Sequence, residues 1–145
     1  MENRMNIQQI QPAAYKALIG LENYLAGTNL NKTQKELIKI RASQINGCAF
    51  CIDMHTKDAI KYGESNQRIF LLNAWRETDV FTKEEKIILA ITEEITLIHQ
   101  HGLSDETYAK AKEFFSEELI AQIIVAIVTI NAWNRIAIST RLPVL

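Results

Sequence analysis

Turn-forming residues are scarce in this chain, and that scarcity excludes most β architectures. Its 145 residues include 5 glycines and 2 prolines. Both prolines, Pro12 and Pro143, sit near the chain ends. A many-stranded sandwich or barrel needs a turn about every 8–12 residues. The glycines stand instead between segments of helical periodicity. Gly27, Gly47, Gly63 and Gly102 fall where helices commonly end. At 48% hydrophobic and 23% charged residues the chain is too apolar to be disordered. Its length suits one domain, 1–145, with its own core.

Seven helices are expected. The first spans about Pro12 to Ala26, with Ala14, Leu18, Leu21 and Leu25 recurring at helical spacing. The second opens at Asn31, which Gln34 completes as a capping box, and ends at Gly47. The third runs from Cys48 to Tyr62 and the fourth from about Ser65 to Arg76. Thr82 and Glu85 make the clearest start signal, for a fifth helix reaching His99 with Ile88, Ile91, Ile95 and Ile98 inward. Ser104 and Ser116 start the sixth and seventh, and the seventh ends near Ser139. It contains the β-branched run from Ile123 to Ile130, which alone would read as a strand. No second strand candidate exists to pair with it, and an unpaired strand would leave its backbone groups unsatisfied. A helix apolar on most sides belongs at the centre of a bundle or across a subunit contact. The expected fold is therefore an all-α, single-domain helical bundle.

Charge and composition also narrow the partners. Lys+Arg is 16 against 17 Asp+Glu, so no basic field favours nucleic acid or an anionic membrane. Gln122, Asn131, Asn134 and Arg135 interrupt the apolar seventh helix within the roughly 20 residues a membrane span needs. The polar start, Met1 to Asn6, is not a secretory signal. Two cysteines, Cys48 and Cys51, close too short a loop to stabilise a fold as a disulfide. Their use is chemical or metal-related, in a reducing cytoplasm.

Cys48, Cys51 and His55 lie within about 60° of one another on a helix. Gly47 puts Cys48 at the helix start, where free N–H groups and the dipole stabilise a thiolate. One sulfur can attack, the second can resolve, and His55 can accept a proton. Two ordinary alternatives stand beside this dithiol reading. The cysteines can be small buried hydrophobes. They can also bind zinc, but with His55 they supply three ligands where a structural site takes four. His99 and His101 are explained by a helix C-terminus. The site is expected to hold no metal and no cofactor. Glu36, read by itself, fits an exposed helix carboxylate paired with Lys32 or Lys39. Trp75 and Trp133 read as core or interface, Asn134 and Arg135 as capping or pairing residues, and Arg41 and Arg76 as ion-pair partners.

Glu36, Cys48, Cys51 and His55, with the run from Glu36 to Cys48, resemble the signature of the alkylhydroperoxidase-D-like branch of the carboxymuconolactone decarboxylase family. So do Trp75-Arg76-Glu77, Phe81-Thr82 and Asn131 to Arg135. The resemblance implies an all-helical homo-oligomer, a trimer or hexamer, that reduces organic hydroperoxides with its paired cysteines. It makes Cys51 the peroxidatic thiol and Cys48 the resolving one, with His55 and Glu36 relaying protons. The dipole argument runs the other way and makes Cys48 the more acidic thiol. Cys48, nearer the helix end, is the sulfur that a reductant should reach. That reductant would be a lipoyl or thioredoxin-like protein or a small thiol. The decarboxylase branch lacks the cysteine pair, so lyase chemistry is the alternative, alongside a non-enzymatic redox-responsive oligomer.

Overall fold

The computed structural model describes residues 2–144 and contains eight α-helices and two short 3-10 helices, with no strand among the described residues. The helices are α1 (Ile7–Ile10), α2 (Pro12–Ala26), α3 (Lys32–Asn46), α4 (Ala49–Lys61), α5 (Asn66–Leu71), α6 (Lys83–Thr96), α7 (Asp105–Phe114) and α8 (Glu117–Thr140). The caps that sequence pattern predicts are formed. Asn31 and Thr82 each close a capping box, and Ser65, Ser104 and Ser116 each accept a backbone N–H at a helix start. Gly47 ends α3 in the left-handed conformation, φ 70°, which a residue with a Cβ adopts only under strain.

Three boundaries depart from expectation. The single turn α1 precedes the first expected helix, and the Asn6 side chain caps it. The expected fourth helix is α5 followed by a 3-10 segment, Leu72–Glu77, kinked at Ala74. The fifth stops at Thr96, and a 3-10 turn, Ile98–Gln100, follows it. Ile98, expected inward, is therefore 62% exposed, while Ile88 and Ile91 are fully buried. Once the helix period breaks, a residue seven positions on no longer faces the core.

Helix α3 packs against α4, α6 and α8 and sits between two apolar clusters. One joins α8 to α6 and α7 through Ile88, Ile91, Ala111, Ile123, Ile127 and Ile130, and it includes Cys48 and Cys51. The other gathers Leu37, Ile40, Leu72, Trp75, Phe81 and Leu89. The β-branched run lies within α8, as the lack of a pairing partner requires. Helix α8 is long and apolar enough to cross a membrane by length and composition. Its buried side, from Ile120 to Thr140, is instead spent on α3, α6 and α2. Val128 and Ile138 remain exposed on its outer side.

The first described residues cross the end of α8. The backbone N–H of Arg4 donates to the carbonyl of Thr140 at 2.9 Å, and its guanidinium donates to the carbonyl of Ser139 at 3.2 Å.

Candidate functional site

Cys48 is the N-cap of α4. The left-handed turn at Gly47 swings the chain into an extended Cys48, whose Sγ then accepts the backbone N–H of Cys51 at 3.4 Å. A sulfur occupies the place that a serine oxygen holds at other helix starts. Cys48 and Cys51 approach to 2.6 Å as free thiols. Both are buried, at 1% and 2% exposure.

One turn along α4, the Nδ1–H of His55 donates to Oε2 of Glu36 on α3 at 2.9 Å, and both residues are buried. Glu36 is thus neither exposed nor paired with a lysine. A carboxylate accepts only, so this bond puts a proton on Nδ1.

Cys51 and His55 open together onto a cavity of about 510 Å³. Its apolar walls include Tyr15, Phe50, Met54, Trp133 and Ile136, and the first described segment contributes Asn3, Asn6, Ile7 and Gln8. Tyr15 and Trp133 meet edge to face, with ring centroids 5.1 Å apart. Lys39 and Glu22 pair at the wall, at 3.2 Å. Cys48 does not line this cavity. Of the two sulfurs, Cys51 is the one on the cavity side, and Cys48 lies behind it at the N-cap.

The two thiols are hydrogen-bonded to each other, and their acidities diverge. Cys48 is lowered to about 7, first by the hydrogen bond from the Cys51 side chain, then by the Cys51 backbone N–H and the Asn134 side chain, against the cost of burial. Cys51 is raised, first by its bond to Cys48, then by burial and by the negative charge of Cys48. Ser43 and Asn134 each donate a hydrogen bond that partly offsets this rise. The direction agrees with the helix-dipole argument.

Sequence reasoning passed over Ser43 and gave Asn134 a merely structural part. Both are fully buried. Ser43 lies one heptad beyond Glu36, on the same face of α3, and that spacing was the available signal. The expected ion-pair roles hold for Arg41 and Arg76: both bind Glu93, which also accepts from the indole N–H of Trp75 at 2.7 Å. Among the described residues, no group of three His, Cys, Asp or Glu side chains is placed to hold a metal ion.

Comparison with known proteins bears on the family and the fold. Residues 12–94 match the family model described as the carboxymuconolactone decarboxylase family. The uncharacterized protein YdfG of Bacillus subtilis (strain 168) is 46% identical over 139 residues, covering 96% of this chain and 95% of that protein. A crystal structure from Agrobacterium tumefaciens superposes with a TM-score of 0.96 at 42% identity, covering 99% of both chains. That protein is of unknown function and is described as a candidate antioxidant defence protein AhpD. The debrominase Bmp8 shares the fold, with a TM-score of 0.85 at 19% identity over 95% of this chain and 74% of its own. An AhpD-like helical fold and a family match across the thiol motif lead to one conclusion: the chain belongs to the carboxymuconolactone decarboxylase family.

Proposed function

We propose that this protein is a thiol peroxidase that reduces organic hydroperoxides with Cys51 and Cys48. The observation that supports it most is the shared opening of Cys51 and His55 onto an apolar-walled cavity, with Cys48 directly behind Cys51.

The chemistry divides between the two sulfurs. His55 takes the Cys51 proton at Nε2 while Glu36 holds Nδ1–H. The Cys51 thiolate attacks the outer peroxide oxygen, the O–O bond breaks, and the alkoxide leaves as the alcohol with the His55 proton. Cys51 is now a sulfenic acid. The Cys48 thiolate attacks its sulfur, hydroxide leaves as water with one further proton, and the disulfide closes. A reductant thiolate then attacks the cavity-facing Cys51 and releases Cys48, and a second reductant thiolate attacks the reductant sulfur of that mixed disulfide and releases Cys51. A leaving thiol of low pKa leaves fast, so a Cys48 held near about 7 suits that step. The low acidity of Cys51 is no obstacle, because the proton moves to His55 as the attack occurs. The reductant is a dithiol or thiol, from a lipoyl or thioredoxin-like protein or a small molecule. A reducing cytoplasm is the setting that keeps such a pair reduced. The acting form is a homo-oligomer, a trimer or hexamer, with the exposed apolar side of α8 near the contact.

Steady-state consumption of cumene hydroperoxide with each class of reductant tests the reading. Turnover many times beyond one equivalent, lost when Cys51 is replaced, is the expected result. One oxidation without turnover under every reductant would favour a redox-responsive oligomer. Lyase activity that survives loss of both thiols would replace the peroxidase reading.

A further inference from the structure

Behind the cysteines runs a chain of side-chain amides, none of which lines the cavity. Its orientation is fixed from outside. Arg135 carries donors only. It donates to Oδ1 of Asn131 at 2.9 Å and to the Asn131 backbone carbonyl at 2.9 Å. The Nδ2 of Asn131 donates in turn to the Ile127 carbonyl at 2.9 Å and to Thr96 Oγ1 at 3.1 Å. With Oδ1 of Asn131 fixed as an acceptor, Asn46 must turn its Nδ2 toward it, at 3.0 Å. The same nitrogen donates to Oδ1 of Asn134 at 2.8 Å. Asn134 is left with Nδ2 facing inward, where it donates to Ser43 Oγ at 2.9 Å on the side of the two cysteines, both of whose thiols it favours toward ionisation. Reversing any one amide would set two acceptors, or two donors, face to face, in a half-buried place at Asn46 and Asn131 and a buried one at Asn134, which costs up to a lost hydrogen bond.

We propose that Asn134 holds the negative charge of the Cys48–Cys51 pair through its N–H, and that Arg135, Asn131 and Asn46 are positioning residues that keep that N–H, rather than the amide oxygen, toward the sulfurs. An amide can satisfy the interior either way round. Only one way favours a thiolate, and the donor-only guanidinium and the Ile127 carbonyl select it. The proposal rests on the dithiol reading of the site and concerns the ionisation of the pair, not the fate of a peroxide. The other titratable side chains of the site, Glu36 from α3 and His55 from α4, are bonded to each other. Arg135 is the charged group that α8 ties into the network.

The test is the pH midpoint of thiolate formation, read by ultraviolet thiolate absorbance on the reduced full chain. Asn134→Leu keeps the shape and removes the donor, and it should raise the midpoint by about one to two pH units, the size of a hydrogen bond to a charged group. Asn134→Asp should raise it further, because a carboxylate only accepts and adds like charge. Asn46→Ala releases the amide without touching Asn134, and it should shift the midpoint the same way by less. A purely structural network would lower the melting temperature in all three and leave the midpoint where it was. An unchanged midpoint in Asn134→Leu overturns the proposal. Should that variant lose its helical circular dichroism, Asn46→Ala decides by the same criterion. Peroxide consumption is measured separately. A shifted midpoint in a chain without turnover keeps this proposal and sinks the peroxidase reading, and normal turnover with an unshifted midpoint does the reverse.

Discussion

Glu36 accepts the Nδ1–H of His55 at 2.9 Å, a buried carboxylate–imidazole bond that joins two helices across 19 residues of sequence. His55→Ala should slow sulfenic acid formation by about 10²–10⁴-fold, the usual worth of general acid–base help. Glu36→Gln should slow it less, since a glutamine oxygen can still accept from Nδ1. Stopped-flow peroxide reduction measures both, and both variants should keep two titratable thiols.

The sulfurs should separate by role. Cys51→Ser should abolish peroxide consumption. Cys48→Ser should allow one slow oxidation that stops at a Cys51 sulfenic acid, trapped by a dimedone-type reagent and seen by mass spectrometry. A sulfenic acid on Cys48 in the Cys51→Ser protein would reverse the assignment.

Stoichiometric oxidation of the native protein should remove both thiols within one chain. Thiol counting and non-reducing electrophoresis check this. A chain-to-chain disulfide as the main product would remove Cys48 from the resolving role.

Cys48 is an acid whose pKa folding lowers, so its thiolate predominates above about 7 and is protonated below it. The bond from the Cys51 side chain is the largest cause. In Cys51→Ala the thiolate midpoint of Cys48 should therefore rise, and at neutral pH its absorbance should fall.

Thr82 caps α6 and shares a capping box with Glu85. Thr82→Ala should cost about 1 kcal/mol and lower the melting temperature by a few degrees, read by circular dichroism, with the thiol titration unmoved.

Much of this fold is legible because helix starts are written in short local code. Asn31, Thr82, Ser104 and Ser116 act through bonds that span three residues, so no distant information is needed. The end of α6 was harder. Ile98 continues the apolar period on paper, but the chain breaks into a 3-10 turn after Thr96, ahead of a left-handed His101. The site divides the same way. Cys48, Cys51 and His55 share one stretch of α4 and can be found from spacing. Glu36 reaches His55 only through the packing of α3 on α4, and family resemblance, not periodicity, pointed to it. Asn134 meets the sulfurs across 83 or more residues of chain, and a lone asparagine in an apolar helix carries no mark of what it will touch. The inward turn of Cys48 depends on the φ of 70° at Gly47, a backbone detail that composition does not reveal.

Asn3, Asn6, Ile7 and Gln8 line the cavity at one end of the described chain, and Leu142 lines it at the other. Chain ends are where an affinity tag, a fluorophore or a surface linker is ordinarily attached, on the assumption that they lie far from the chemistry. Here the segment from Asn3 to Gln8 and the residue Leu142 both border the opening above Cys51. A label attached beside either of these segments would therefore sit close to the path of anything entering, and measurements on a protein so labelled would describe the label along with the site.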